Sequence, residues 1–524
     1  MNDTPHLRMS AAPRLRLIQV DCFEQAFRLR LPFRFGAVTI TQGLQAIIRV
    51  RIRLADGREA DGYAAEALGA KWFDKNPLLS DEQNLQQLRR ALELAIQMYR
   101  DVGSRATSAI DSRSGGRDSK FGDTAFGHAT SDHATSGATA FGHTAFGLFA
   151  EVYSAHLEAC AQIDLPPLVA SFGPALLDRA VLDALCRLTG MSFWQAMKIN
   201  LPGFDASRVA PDLVGFDSDA FLRGLTPSLR INARHTVGLL DPIVAADQID
   251  GTRVDDGLPE TLEEVIQVYG NRYFKLKLAG LHEADLPRLR RIAAVLDTID
   301  EPYHLTLDGN EQYSDARAIV ELWEAIEGEP ALRRMAASTL FIEQPIKRQV
   351  AFEQSIAALA RYKPVIIDES DGDMNAFVRA RALGYRGVSS KACKGFYKSL
   401  VNLARCRLWS SQGEQYLLSG EDLTTQAGLS VQQDLALASL LGLTHVERNG
   451  HHFIDGFGAR PVDEAQRFAY AHPDLYSVDA GRTRLRITSG CLELGSLACP
   501  GFGSSVIPSL ADTPRMPTAL WPAH

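Results

Sequence analysis

Short apolar runs alternate with segments of helical periodicity through the second half of the chain. Residues 316–326 are one such segment, with apolar side chains recurring on one helical face. Four of the apolar runs end on a charged residue, at 304–308, 339–343, 364–368 and 387–391. The unit repeats about every 25 to 35 residues, as a (β/α)8 barrel of roughly 250 residues requires. The pattern therefore predicts an α/β fold built on a (β/α)8 barrel.

A further run, at 273–280, carries Lys275 and Lys277 two positions apart. Alternate side chains on a strand share a face, so both ammonium groups should point the same way. A strand bracketed by helices is expected to be apolar on both faces, so two lysines need a reason. Exposure at a frayed strand end is one explanation, because lysine is mostly exposed in proteins. A shared functional site is the other.

Three of the charged strand ends are carboxylates, Asp308, Glu343 and Asp368, and the fourth is Lys391. In a barrel these strand ends face one site, so the side chains should converge. Three carboxylates repel one another unless a cation joins them, and oxygen ligands without His or Cys favour Mg²⁺ over zinc. Each acid taken singly is also compatible with a helix N-cap or a surface position. Three carboxylates at the ends of successive predicted strands, taken together, predict a magnesium site.

Length and composition narrow the class of protein. A chain of 524 residues exceeds a single ordinary core, so more than one domain is expected. The net charge is −8 and the basic residues are scattered, which argues against a nucleic-acid partner. No leader pattern opens the chain, and no run reaches the roughly 18 apolar residues of a membrane span. Seven scattered cysteines without a C-x-x-C pair suit a reducing compartment, so we expect a cytoplasmic protein.

The N-terminal part follows another pattern. Residues 15–21 and 46–54 alternate as antiparallel strands do, and 81–99 read as an amphipathic helix. Residues 103–147 are rich in Ser, Thr, Gly, Ala and His and repeat Thr-Ala-Phe-Gly three times. Too few large apolar groups are present to offset the ordering entropy, which predicts a disordered insert. We do not expect its histidines to bind a metal, since nothing fixes their geometry; they are His128, His133 and His143.

The chain carries K-x-K at 275–277, D-x-N at 308–310, E-Q-P at 343–345, D-E-S at 368–370 and Lys391, in that order. This set resembles the enolase superfamily, in particular its muconate-lactonizing-enzyme subgroup within the mandelate racemase/muconate lactonizing enzyme family. The resemblance covers nearly all the chain outside the insert. It implies an α+β capping domain at 1–225 with the insert at 103–147, a barrel at 226–480, and a segment at 481–524 that returns to the cap.

The resemblance also implies roles for the strand-end residues. Mg²⁺ would be held by the three carboxylates and would bind the substrate carboxylate. Lys277 would be the base on one face of the substrate, and Lys391 would stand across the barrel mouth. Lys275, a like charge on the same strand face, would lower the pKa of Lys277. Lys394 competes with Lys391, although Lys391 ends the strand.

Further residues are candidates for substrate binding or for supporting the metal ligands. Two cap loops, 31–36 and 68–74, supply Phe33, Arg34 and Trp72, which are also compatible with interdomain packing. Asn310 is expected to hydrogen-bond a metal ligand or the substrate, and Glu369 to hold Lys391. We interpret His451 and His452 as a loop pair rather than site residues. The remaining acids of the mouth are Glu421, Asp422 and Glu447.

Proton removal next to a carboxylate gives an enediolate with two negative charges, so cationic stabilisation is needed. With both lysines acting, the enzyme would be a racemase or epimerase of an α-substituted carboxylate such as an N-substituted amino acid. With one acting, it would be a cycloisomerase or a syn-eliminating lyase or dehydratase. Strand eight carries His445-Val-Glu-Arg-Asn449 in place of the Asp-x-Asp of dipeptide epimerases, which argues against a dipeptide.

An alternative from another class is a catalytically silent carboxylate-binding protein. The intact carboxylate set and both lysines argue against it, because a silent relative should have lost at least one of them. The expected partner is a small-molecule carboxylate, and homo-oligomerisation is left open.

Overall fold

The computed structural model describes residues 12–114, 141–249, 251 and 253–522. The repeat at 124–127 and the histidines His128 and His133 lie outside the described residues. We call the described residues from 12 to 225 the cap. The cap contains β1 (Leu15–Phe35), β2 (Val38–Leu54), β3 (Glu59–Ala67), α1 (Ala70–Phe73), α2 (Asp81–Ser114), α3 (Ala145–Ala161), α4 (Pro167–Ala170), α5 (Phe172–Thr189), α6 (Phe193–Lys198) and α7 (Ser218–Arg223).

Strands β1, β2 and β3 form an antiparallel sheet in that order. Along β2, Ile48, Val50 and Ile52 are buried while the arginines between them are more exposed, the alternation expected of a sheet with one covered face. Helix α5 covers that face. Gly62 makes the close approach feasible, because a Cβ there would lie 2.1 Å from the Ala180 carbonyl oxygen.

Strand β1 contains a β-bulge between Arg28 and Phe33. Its register with β2 moves from the pair Arg28 and Gln42 to the pair Phe33 and Ile40. Four residues of β1 therefore face one residue of β2, and residues 29–32 bulge away from the ladder.

The described residues on either side of the insert differ from the sequence prediction of 103–147. Helix α2 continues to Ser114, and α3 begins at Ala145. Thr144 caps α3 by accepting a hydrogen bond from the Gly147 amide at 2.9 Å. Phe146 is fully buried, so the third Thr-Ala-Phe-Gly copy is a capped helix start rather than part of a polar insert. Composition alone did not distinguish this copy from the others.

After the cap, strands and helices alternate. They are β4 (Arg230–Val237), α8 (Leu262–Tyr269), β5 (Tyr273–Lys277), α9 (His282–Leu296), β6 (His304–Asp308), α10 (Ala316–Gly328), α11 (Arg333–Ser338), β7 (Thr339–Glu343), α12 (Ala357–Ala360), β8 (Val365–Ile367), α13 (Ala376–Ala382), β9 (Gly387–Ser390), α14 (Phe396–Ser410), β10 (Leu417–Gly420), α15 (Leu429–Leu440), β11 (His445–Arg448), α16 (Gly450–Phe453), α17 (Val462–Ala471), β12 (Tyr476–Asp479), β13 (Arg482–Leu485) and β14 (Cys491–Glu493). Short 3₁₀ helices lie at Ala206–Arg208, Pro211–Leu213, Ala245–Asp247, Pro330–Leu332, Ala392–Lys394 and Gly495–Leu497.

In the described part of the chain, β4 to β11 form a barrel of eight parallel strands. Each strand pairs with the next, and β11 pairs with β4 to close the ring. The (β/α)8 barrel predicted from the sequence is confirmed. In the closed order β5 and β9 are four strands apart, so they stand on opposite sides of the barrel.

The C-terminal residues contact both the barrel and the cap. Strand β14 pairs antiparallel with the start of β4. Further on, the Phe502 amide donates to Asp183 at 2.7 Å, and the Met516 amide donates to the Cys22 carbonyl at 3.0 Å. No helix in the described ranges is both long and apolar enough to cross a membrane.

Candidate active site

A cavity of about 800 Å³ lies between the cap and the carboxyl ends of the barrel strands. Lys277, Lys391, Asn310, Asp422 and Glu447 line its barrel side. The cap and one barrel loop supply its apolar walls, namely Phe27, Phe33, Phe35, Ile40, Leu44, Leu68, Trp72, Leu85 and Leu423. The cavity therefore combines a charged floor with apolar walls.

Lys277 and Lys391 enter this cavity from opposite strands of the barrel, and each is paired with a carboxylate. Lys277 Nζ donates to Asp308 Oδ2 at 2.6 Å. Lys391 Nζ donates to Asp368 Oδ2 at 2.8 Å. Because the lysines lie on β5 and directly after β9, a small molecule between them would meet one ammonium group on each side.

A cap ring accompanies each lysine. The Trp72 ring centre lies 4.2 Å from Lys391 Nζ, a cation–π distance. The Phe33 ring centre lies 5.9 Å from Lys277 Nζ. Both rings line the cavity, so the structure places these two sequence candidates at the site.

Lys275 shares the strand face of Lys277, as expected, and both ammonium groups contact Asp308 Oδ2, at 2.9 Å and 2.6 Å. The Lys275 ammonium lies below the cavity and contacts carboxylates at the ends of four strands: Asp308 at 2.9 Å, Glu343 at 2.8 Å, Glu421 at 2.7 Å and Glu447 at 3.0 Å. Burial alone would lower the pKa of Lys275, but these carboxylates raise it well above its ordinary value. Its positive charge is thus paired with four carboxylates beneath the floor of the cavity.

Lys394, the competing candidate, is held away from the cavity. It donates to Ser389 Oγ at 2.6 Å and lies 3.1 Å from Asp371 Oδ2. Lys391 is the lysine of this pair that lines the cavity.

The three proposed metal ligands are buried at the ends of neighbouring strands. Among the described residues, no three or more His, Cys, Asp or Glu side chains stand at a spacing that holds a metal ion. Each carboxylate is instead drawn to a lysine: Asp308 to Lys277, Glu343 to Lys275, and Asp368 to Lys391.

Two observations nevertheless fit a hard cation among these oxygen atoms. Among the described residues Glu343 is paired with a single cation, Lys275, whose Nζ lies 2.9 Å from Oε1 and 2.8 Å from Oε2. Burial together with the neighbouring Asp308 and Glu421 carboxylates raises the pKa of Glu343 well above its ordinary value, although Lys275 opposes this. Carboxylates crowded together in this way would be stabilised by a divalent cation between them, and oxygen ligands suit Mg²⁺.

The supporting residues divide into those at the cavity and those below or beside it. The Asn310 backbone N–H donates to Asp308 Oδ1 at 2.8 Å, whereas its side-chain amide donates to Glu369 Oε1 at 3.3 Å, so the side chain does not contact a proposed ligand as expected. Glu421 pairs with Arg234 and Lys275 beneath the floor. Asp422 and Glu447 line the cavity.

Two expectations differ from the observed contacts. Glu369 contacts Lys75 of the cap at 3.0 Å, whereas Lys391 is held by Asp368. Arg34 is exposed and bonds the Gly36 carbonyl, because alternation along β1 turns Phe33 and Phe35 inward and Arg34 outward. The cap arginine that reaches the cavity rim is Arg28.

His451 and His452 lie in the short helix α16, beside His235 of β4, and outside the cavity lining. Burial lowers the pKa of His235 to about 3 and the pKa of both α16 histidines well below the ordinary value. The cluster is neutral at physiological pH and packs behind the site, although it is helical rather than a loop.

Sequence reasoning missed Lys75, Glu311 and Arg348, which join the cap to the barrel mouth. Glu311 directly follows the D-x-N at 308–310, Lys75 follows the predicted cap loop by one residue, and Arg348 lies three residues after E-Q-P. Their closeness in sequence to the motifs and to the cap loop was the signal that could have marked them as site residues. Nothing local indicated that the three would meet.

No protein-family model matches the chain, and no curated protein matches it in sequence. Solved structures do match in fold. A dipeptide epimerase from Enterococcus faecalis, complexed with Mg and the dipeptide L-Leu-L-Tyr, aligns at 14% identity with a TM-score of 0.54, over 93% of this chain and 99% of the other. An enolase from Streptomyces coelicolor, a putative sugar isomerase, aligns at 14% identity and a TM-score of 0.54, over 94% of each chain.

The 2-chloromuconate cycloisomerase from Rhodococcus opacus aligns at 16% identity with a TM-score of 0.50, over 93% of this chain and 96% of the other. Alignments of this extent cover the cap and the barrel together. The chain therefore has the fold of these enzymes, the fold that its resemblance to the enolase superfamily implied.

Proposed function

We propose that the protein is a Mg²⁺-dependent enzyme of the enolase superfamily that removes the proton α to a carboxylate, acting as a racemase or epimerase. The observation that carries the proposal is the pair Lys277 and Lys391, which face one cavity from opposite strands, each beside a buried carboxylate. A base reaches the α-carbon only from its own face, so two lysines so arranged could remove and return the proton on opposite faces.

Asp308, Glu343 and Asp368 would hold the metal. When bound, Mg²⁺ would supply positive charge where the enediolate develops its second negative charge. The lysine pairs give a second reason for a cation at this place. A carboxylate contact stabilises the ammonium form, which donates a proton but does not accept one. Burial would lower the pKa of Lys391, yet Asp368 raises it above its ordinary value, so Asp368 needs another partner before Lys391 can act as a base.

The cavity also favours a class of substrate. Its walls are apolar and aromatic, which suits a carboxylate with a bulky apolar substituent. Its two deep acids already accept hydrogen bonds on every oxygen: Glu447 from Thr236, Asn449, Lys275 and the Asp422 amide, and Asp422 from Thr425 and the Asn449 amide. Glu447 has all of its roughly four acceptor sites filled, and Asp422 has three filled and lies 3.7 Å from Arg448, so both are poor partners for an α-ammonium group and a neutral, N-acylated substrate fits better than a free amino acid or a dipeptide.

A one-base reaction is the second candidate, because the two lysines differ. The Trp72 ring on Lys391 and the contact with Asp368 both favour an ammonium that keeps its proton. In that case Lys277 would be the base and Lys391 would stabilise charge, as in a cycloisomerase or a syn-eliminating lyase.

The test is deuterium uptake from D₂O into both enantiomers of N-acyl amino acids with aromatic and aliphatic side chains, in the presence of Mg²⁺. Free amino acids and dipeptides with the same side chains are the matched controls. Exchange confined to the N-acyl series supports the proposal. Binding without exchange would favour the silent carboxylate-binding alternative, and exchange confined to the free amino acids would contradict the substrate class.

A further inference from the structure

Two segments of the cap reach the barrel mouth, and each brings a ring to one lysine. We call residues 29–35, which include the bulge of β1, the first cap segment, and residues 69–76, which include α1, the second cap segment. The first carries Phe33 beside Lys277, and the second carries Trp72 on Lys391. How each segment is fastened therefore bears on each lysine separately.

The second cap segment is fastened by Arg348, a residue of the loop after β7. Its guanidinium donates to the Phe73 carbonyl at 2.7 Å and to the Trp72 carbonyl at 2.9 Å. The same guanidinium forks onto both carboxylate oxygens of Glu311, each at 2.7 Å. A planar fork fixes direction as well as distance, so Arg348 determines where the backbone under Trp72 lies.

Lys75 adds a second bond from the same segment. Its ammonium lies 2.8 Å from Glu311, 3.0 Å from Glu369 and 3.0 Å from the Asn310 carbonyl. Asn310 and Glu311 have φ values of +40° and +69°, a left-handed backbone that is strained for residues other than glycine. The strained turn after Asp308 thus presents Glu311 to the cap.

The first cap segment is fastened by Arg30, which projects from the bulge of β1. Arg30 contacts both carboxylate oxygens of Asp256, at 2.5 Å and 2.8 Å, and donates to the His452 carbonyl at 2.8 Å. Asp256 and His452 belong to the barrel side of the molecule. This fastening shares no residue with the one around Glu311.

We propose that Arg348 and Arg30 are positioning residues, each of which pins one cap segment so that one ring shields one lysine. Loss of the Arg348 contacts should then expose Lys391 alone, and loss of the Arg30 contacts should expose Lys277 alone. The consequence for turnover rests on the proposed function, whereas the shielding itself does not.

The test is covalent labelling of the full-length protein with acetic anhydride, followed by peptide mass spectrometry of Lys391 and Lys277. Arg348→Ala should raise the acetylation rate of Lys391 roughly tenfold relative to Lys277, because a hydrogen bond to a charged group stabilises the closed state by about that factor. Arg30→Ala should give the reverse selectivity. Arg379→Ala removes an exposed pair with Asp373 and should change neither rate.

Two further variants keep the test decisive if an alanine variant folds poorly. Arg348→Lys keeps the charge but loses the fork, and should raise Lys391 labelling by a smaller factor. Trp72→Ala removes the ring itself and should match Arg348→Ala at Lys391. An equal rise at both lysines in each arginine variant, or no rise in any variant, would overturn the proposal.

Labelling also separates this proposal from the proposed function, because it needs no substrate. Selective labelling without deuterium exchange in any carboxylate would support the positioning roles of Arg348 and Arg30 and would contradict the proposed enzymatic function. Where exchange is found, Arg348→Ala should slow the exchange that depends on Lys391 while that of the opposite enantiomer is kept. A general loss of stability would lower both exchange rates together.

Discussion

Lys275→Met tests how the floor of the cavity is held together. The substitution keeps an unbranched side chain of similar length and removes the ammonium that contacts Asp308, Glu343, Glu421 and Glu447. Three of these carboxylates keep other partners. Asp308 retains Lys277, Glu421 retains Arg234, and Glu447 retains its neutral donors. Glu343 loses its one lysine.

The expected loss in the free energy of unfolding comes mainly from Glu343, the carboxylate left without a cation. Leaving a buried charge without its partner destabilises a protein by about 3–5 kcal/mol. The pKa of Glu343 is already raised, and losing Lys275 raises it further. A carboxyl whose folded pKa lies above its unfolded value favours folding when protonated, so this contribution is lost as pH rises through the folded pKa. The deficit of the variant should therefore be largest above neutral pH and should shrink as the pH is lowered.

The assay is thermal unfolding followed by circular dichroism between about pH 5.5 and pH 8, with Lys347→Met at an exposed lysine as the control. We expect Lys275→Met to lower Tm at pH 8 by roughly 3–5 °C, less at pH 5.5, with the control unchanged. Added Mg²⁺ should restore part of the loss, since a divalent cation can replace the missing charge. A Tm equal to that of the parent protein at both pH values would refute the reasoning.

Two other predictions concern the metal and the insert. Chelation with EDTA should abolish deuterium exchange and Mg²⁺ should restore it, while Glu343→Gln should weaken Mg²⁺ binding measured by calorimetry; full exchange after exhaustive chelation would contradict the metal assignment. Replacing residues 115–140 by a short Gly/Ser linker should leave Tm and exchange almost unchanged, because loop length costs entropy only logarithmically. By contrast, Phe146→Ala should cost about 3–5 kcal/mol in unfolding measurements, because that ring is fully buried.

The barrel could be predicted because its signals are local. Strands buried on both faces read as short apolar runs, and the strand ends at Asp308, Glu343 and Lys277 coincide with the ends of β6, β7 and β5. The positions of Lys277 and Lys391 on opposite sides of the barrel could be predicted from strand order alone. These features depend on period and sequence order, which the chain displays directly.

The side-chain partners could not be predicted because they join residues far apart in sequence. Lys75 meets Glu369 across 294 positions, and Arg348 meets the Trp72 carbonyl across 276. For Lys275, the strand pattern predicted which face the side chain occupies. It did not predict the four acidic neighbours, because they come from other strands. The insert boundary was wrong because burial of Phe146 depends on Phe204 and Tyr397, which no local pattern reveals.

The most direct test of the account is α-proton exchange in D₂O by Lys277→Ala and Lys391→Ala, measured separately on the two enantiomers of an N-acyl amino acid that the parent protein exchanges. The account predicts a mirror pattern. Each variant stops exchange of one enantiomer and keeps some exchange of the other, while net racemisation is lost in both. Wild-type exchange of both enantiomers by both variants would contradict it, because neither lysine would then be at the reacting carbon.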